Sequence, residues 1–156
     1  MRTVCCIFVS FVMMIPLRAT EGVILLHGLC RTSASMGKLA AALIAAGYCV
    51  ENIDYPSRRA SIAKLSDAAL DRALADPKMQ SCSRIHFVTH SLGGILVRSY
   101  FRRHKSARLG RVVMLGAPKQ GSEVVDRLGG WWLFRKLHGP AGSELGTNPD
   151  STPNTL

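Results

Sequence analysis

Phe87-Val88-Thr89-His90-Ser91-Leu92-Gly93-Gly94 decides how this chain is read. Ahead of it, Arg84-Ile85-His86-Phe87-Val88 has the character of a short buried strand, and behind it Ile95 to Phe101 has that of a helix. A serine between a strand end and a helix start, followed by two glycines, is the pattern of a nucleophile elbow. Such a turn holds the serine in a strained backbone conformation and lifts its Oγ clear of the sheet. Strand and helix nearly touch there, so small residues are needed two before and two after the serine. Gly93 meets that need, while Thr89 stands where glycine is usual. Ser91 is therefore the candidate catalytic nucleophile, with Gly93 supporting its turn.

Working outward, Gly22-Val23-Ile24-Leu25-Leu26 is a continuous apolar run that ends in His27-Gly28-Leu29. A run this apolar belongs to a strand buried on both faces, as in a parallel sheet. Met36, Leu39, Leu43 and Ala46 then recur at helical spacing, with Ser33 or Ser35 as the expected cap and Gly47 as the closing residue. Tyr48 to Ile53 reads as a second strand, stopped by Asp54-Tyr55-Pro56. Ile62, Leu65, Ala69 and Ala73 mark a second helix to about Ala75, with Asp76-Pro77 as its breaker. After the elbow and its helix, Arg111-Val112-Val113-Met114-Leu115-Gly116-Ala117-Pro118 supplies a fourth strand. Strands alternating with helices imply an α/β fold, a parallel sheet flanked by helices on both sides.

With 156 residues the chain is about one domain long, and 47% hydrophobic content describes a globular protein. The net charge of +10 is concentrated in part at Arg98, Arg102, Arg103, Lys105, Arg108 and Arg111. That cluster has no aromatic interleaving and no nucleic-acid motif, so no nucleic-acid partner is expected. It begins where a helix should end, and cations suit that pole. Attachment to an anionic membrane surface is the functional alternative for so basic a chain. Residues 1–19 read as a signal peptide, with a positive start, an apolar stretch from Val4 to Leu17 and an imperfect small-residue cleavage site at Leu17-Arg18-Ala19. An uncleaved anchor is the other reading of that stretch. Export, periplasmic or secreted, would remove Cys5 and Cys6 and leave Cys30, Cys49 and Cys82. Three cysteines allow at most one internal disulfide, its pairing open, and their spacing suits no metal. Residues 20–145 form the expected domain, and the polar stretch 146–156 a frayed tail.

In an open parallel sheet, ligands bind outside the carboxyl ends of the strands. His27-Gly28-Leu29 and Ser91 both fall at such ends. A serine attacking an acyl group needs donors aimed at the oxygen that becomes negative. The backbone N–H of Leu92, at the helix start, is one candidate, and that of Leu29, beside flexible Gly28, is the other. His27 either orders this loop or acts as a base.

Leu26-His27-Gly28-Leu29, Asn52-Ile53-Asp54-Tyr55-Pro56-Ser57-Arg58, Thr89-His90-Ser91-Leu92-Gly93-Gly94 and Leu115-Gly116-Ala117-Pro118-Lys119-Gln120-Gly121-Ser122 carry a resemblance. In order and spacing they resemble α/β-hydrolases, most closely the bacterial lipase and esterase-like branch. The resemblance implies hydrolysis of a small-molecule or lipid ester through an acyl-enzyme. Ser91 would be the nucleophile, Leu29 and Leu92 the oxyanion donors, and His27, Gly28 and Gly93 their support. No metal or organic cofactor is implied. It also implies the strand order second, first, third, fourth.

One departure from the family pattern is large. The acid and then the histidine should follow the serine from loops after later strands, and no strand is legible after Ala117. Asp126 and His138 come in the right order, but twelve residues separate them and no strand lies between, so they are not expected to form the triad. His90, beside the serine in a tight turn, should point elsewhere. His86 reads as a packed or edge residue and His104 as solvated. The chain is thus expected to be the N-terminal part of a serine hydrolase, truncated before the last strands. A non-catalytic remnant or binding module is the rival reading. Either way the fourth strand becomes a bare edge and a route to self-association.

Overall fold

The computed structural model describes residues 20–116, 139–141 and 144–145. Four parallel strands form one sheet: β1 (Glu21–Leu26), β2 (Cys49–Ile53), β3 (Arg84–His90) and β4 (Leu109–Leu115). Their spatial order is β2-β1-β3-β4, the order expected. The helices are α1 (Gly37–Ala45), α2 (Ile62–Ala75), the single turn α3 (Pro77–Gln80) and α4 (Leu92–Arg103).

The two-residue period of β1 divides the core. Val23 and Leu25 point to one face and pack with Met36 and Ala40 of the α1 segment. Ile24 and Leu26 point to the other, among Leu65, Ala69 and Leu70 of α2 and Ile95 and Leu96 of α4. Ile24, Leu25 and Leu26 are wholly buried, and each such side chain contributes about 1.5–3 kcal/mol. Cover is uneven among the described residues. Helix α1 lies over β1 and β2, whereas on β4 Val113 is 47% exposed and Leu115 43%.

Several local expectations are corrected. Neither Ser33 nor Ser35 caps α1 through its side chain; residues 33–36 form a 3-10 turn that runs directly into the helix. The Ser33 N–H instead donates to Asp54 Oδ1 at 2.9 Å, a partner supplied by the next loop. Asp76-Pro77 does end α2 but also starts α3, with the Asp76 carboxylate accepting from Lys78 N–H and proline at the first helical position. Helix α4 begins at Leu92, earlier than its apolar pattern indicates, because the serine turn feeds straight into it. β4 closes at Leu115, and Gly116 turns the chain with φ of 60°.

The basic cluster is partly built into the fold. The Arg103 guanidinium bonds the Asp67 carboxylate, Ser66 and Ser99, tying α4 to α2. Arg108 donates to the carbonyls of Met79, Gln80 and Cys82 around the end of α3, where helical carbonyls run short of backbone partners. Farther along the chain, Ala141 and Leu145 are buried in the core cluster to which α2 and α4 contribute. The Glu144 carboxylate accepts from Ile62 N–H at 3.0 Å, at the start of α2, where negative charge suits the helix dipole.

Tyr100 links α4 to α2 by donating its hydroxyl proton to Asp71 at 2.6 Å. Burial, then that hydrogen bond and the charges of Asp71 and Asp67, raise its pKa from 10.0 to about 12. Burial, then the Asp54 charge, also pushes the Tyr55 phenol up. An unfolded chain releases the Tyr100 proton near 10.0, so its contribution is complete below that pH and is lost as pH rises toward 12. Urea midpoints taken across that window should fall for the wild type and fall less for Tyr100→Phe.

Candidate active site

Ser91 joins β3 to α4 with φ of 49° and ψ of −116°, a conformation that costs an ordinary side chain about 1–3 kcal/mol. It is the conformation an elbow demands. The turn is held from both sides. Ser91 N–H donates to the Leu115 carbonyl at 2.9 Å, and the Ser91 carbonyl accepts from Gly94 N–H at 3.0 Å. Thr89 is completely buried, and its hydroxyl reaches the Val113 carbonyl at 3.5 Å, so the residue in the usual glycine position finds a polar partner.

Gly93 and Gly28 are needed for separate reasons of space. A Cβ on Gly93 would stand 2.8 Å from both Leu26 Cβ and the Leu26 carbonyl, and 3.0 Å from the His27 carbonyl. Helix α4 therefore touches the end of β1 through bare backbone. A Cβ on Gly28 would stand 2.7 Å from His90 Nδ1 and 3.3 Å from Ser91 Cβ. The loop after β1 thus comes directly against the serine turn, and the exposed His90 ring rests on Gly28. Among the described residues, the N–H groups of Leu29 and Leu92 have no hydrogen-bond acceptor. The Ser91 hydroxyl likewise has no partner among them.

The loop from His27 to Ser33 is held by His27 together with Tyr55 and Ser57, two residues whose role the sequence alone does not show. His27 is wholly buried and stacks on Tyr55, the rings 4.1 Å apart and inclined by 10°. Its Nδ1 lies 2.8 Å from the Gly28 carbonyl. Nε2 lies 3.4 Å from Tyr55 N–H and 3.3 Å from Asp54 Oδ1. A neutral ring accepts from the first and a protonated ring donates to the second; in either state both nitrogens are occupied. The Tyr55 hydroxyl donates to the His27 carbonyl. Cys30 N–H donates to Ser57 Oγ at 3.1 Å, with Cys30 at φ of 57°. Only a run of Asp-Tyr-Pro-Ser just past the second strand hinted at this bracing.

The other histidines are placed as follows. His86 Nδ1 accepts from Arg111 N–H at 2.9 Å, where the pairing of β3 with β4 is irregular. His104 stacks on Tyr100 at the far end of α4. Asp126 and His138, like residues 1–19 and the 146–156 tail, lie outside the described residues. Two cavities open beside the loop. One of about 730 Å³ is lined by Cys30, Arg31, Tyr55, Ser57, Arg58 and Arg59 among others. The other, of about 380 Å³, includes Met36, Leu39, His90 and Leu115 in its walls. No group of three or more potential metal ligands occurs among the described residues.

A parallel sheet in this order, with a strained serine between the third strand and its helix and a glycine loop pressed against it, defines a class of α/β protein. The pattern of the alpha/beta hydrolase family matches residues 23–154, and the chain belongs to that family. The mature lipase BlEst2 of Bacillus licheniformis is similar in structure, with a TM-score of 0.66 and 25% identity over 88% of this chain and 61% of that one. Phospholipase PlaB of Legionella pneumophila gives a TM-score of 0.68 and 22% identity over 85% of this chain and 33% of that one. An extracellular α/β-hydrolase from a Paenibacillus species gives 0.57 and 16% over 75% and 51%. The last two likenesses concern the fold alone. This chain thus spans less than two thirds of each of these structures. No curated protein matches the sequence.

Proposed function

We propose that this chain hydrolyses carboxylic esters through an acyl-enzyme on Ser91. The observation that carries the reading is the positive φ of Ser91 between a strand end and a helix start. The family match and the lipase neighbour support ester chemistry. Ser91 Oγ attacks the ester carbonyl carbon and gives its proton to a histidine. The oxygen that becomes negative accepts from the N–H groups of Leu29 and Leu92, each such donor being worth about 3–4 kcal/mol. The alcohol leaves with the proton, and water then attacks the acyl-enzyme to release the acid. His27 and Tyr55 hold the Leu29 loop in place. Since His27 and His86 are bonded elsewhere, His104 lies beyond the far end of α4 and the His90 ring rests on Gly28 at the side of the serine turn, this reading puts the base outside the described residues.

Turnover of a p-nitrophenyl ester is the expected result. Saturable binding of the ester without turnover would replace the reading by a binding module. Export belongs to the same proposal and rests on the apolar stretch from Val4 to Leu17. So does self-association through β4, the last strand of the described sheet. Val112 to Leu115 carries no charge to oppose pairing with another chain. Sedimentation at several concentrations should show association that grows with concentration; a constant monomer would refute it.

A further inference from the structure

The three cysteines of the domain lie at opposite ends of the sheet. Cys49 opens β2, and Cys82 lies two residues before β3, so both sit at the amino ends of the strands. Cys30 follows the carboxyl end of β1. β1 alone separates these ends by about 16 Å at 3.3 Å per residue. A disulfide requires Cα atoms within about 7 Å, so Cys30 cannot bridge to either of the others without unfolding the sheet.

Cys49 and Cys82 converge over one glycine. Gly22 of β1 is the register partner of Cys49 on β2, and register partners in parallel strands project to the same face. On that face a Cβ at Gly22 would lie 3.0 Å from Cys82 Sγ. The same position lies 2.9 Å from Met79 Sδ, so the bare backbone of Gly22 makes room for the Met79 and Cys82 side chains over the strand that pairs with Cys49. Cys49 packs against the cluster that contains Cys82. Cys82 Sγ donates to the Lys78 carbonyl at 3.1 Å, which fixes its side chain at the turn that ends α3.

We propose that Cys49 and Cys82 form a disulfide that clips β2 to the entrance of β3 across Gly22, leaving Cys30 as the odd thiol. Burial, followed by the neighbouring Cys49 thiol and its hydrogen bond, pushes the Cys82 thiol up. Cys49, only half-buried, therefore reacts first. With a small disulfide such as oxidised glutathione, the Cys49 thiolate attacks one sulfur and expels a glutathione thiolate. Cys82 then loses its proton and attacks Cys49 Sγ, expelling the second glutathione as the protein disulfide forms. Two protein thiols are oxidised, one glutathione disulfide is reduced to two thiols, and the two protons end on them. The link closes a loop holding β2, α2 and α3, so it restricts the unfolded chain over a long span.

The test is peptide mapping of the intact chain after native incubation with oxidised glutathione and alkylation of remaining thiols. Trypsin places Cys30, Cys49 and Cys82 on separate peptides, 19–31, 39–58 and 79–84. The expected result is a 39–58 to 79–84 cross-link, retained in Cys30→Ser and absent in Cys49→Ser. The oxidised wild type should melt about 10 °C above the reduced protein, with no such difference in Cys49→Ser. A dominant cross-link through Cys30, or alkylation of Cys49 and Cys82 after the incubation, would overturn the proposal. These readouts do not depend on hydrolysis, so failure of the ester reading leaves them intact.

Discussion

Replacing Ser91 with alanine should lower ester hydrolysis by about 10⁴-fold or more and abolish labelling by a fluorophosphonate probe. Loss of a nucleophile removes both the covalent route and the benefit of the base that serves it, which is why such effects are so large. The wild-type adduct should map to the peptide containing Ser91, since the Leu92 amide can receive the charged oxygen of the adduct. Equal labelling of wild type and Ser91→Ala would remove the assignment. Labelling of neither would favour the binding module. A second variant separates chemistry from folding. Ser91 holds φ of 49°, which glycine adopts freely, so Ser91→Gly should be inactive yet about 1 kcal/mol more stable than Ser91→Ala. A site selected only for stability would not keep a serine there.

The second large effect is expected at Gly93. In an ordinary helix, glycine to alanine stabilises by up to about 1 kcal/mol. At Gly93 the added Cβ would lie 2.8 Å from the Leu26 carbonyl, a backbone atom that cannot swing aside. Overpacking of this kind costs about 1–3 kcal/mol, more when backbone must move, and it outweighs the propensity gain. Gly93→Ala should therefore lose about 2 kcal/mol and displace the serine turn, lowering activity as well. Gly37, at the start of α1, has nothing within 4 Å of its Cβ position. Gly37→Ala should stabilise by up to about 1 kcal/mol, the opposite sign for the same chemical change. Urea melts of the two variants make the comparison, and equal effects would refute the close approach of α4 to β1.

The sequence by itself determined what local rules govern. Apolar runs separated by helical periods dictate parallel strands with crossover helices, and the alternation from Glu21 to Leu115 is enough for that. The serine turn was readable because strain and close approach demand particular residues at neighbouring positions, Ser91 and Gly93 among them. Gly28 was readable as the flexible point of the loop, though not its reason, which is the His90 ring and Ser91 pressed against it. The start of α1 was not readable from its serines, because Ser33 finds its partner in Asp54, 21 residues away.

Only the tertiary structure decided which distant residues meet. Tyr55 lies 28 residues from His27, and Ser57 lies 27 from Cys30, yet together they brace the loop that carries Leu29. Such pairs leave no periodic trace, since neither partner is unusual in its own stretch. The cysteines show the same division. Counting limits them to one bridge, but choosing Cys49 and Cys82 requires the register of β1 with β2 and the bare backbone of Gly22 between them. Composition and period act along the chain, while hydrogen bonds, ring stacks and thiol pairing act through space, and the sheet alone brings the second set together.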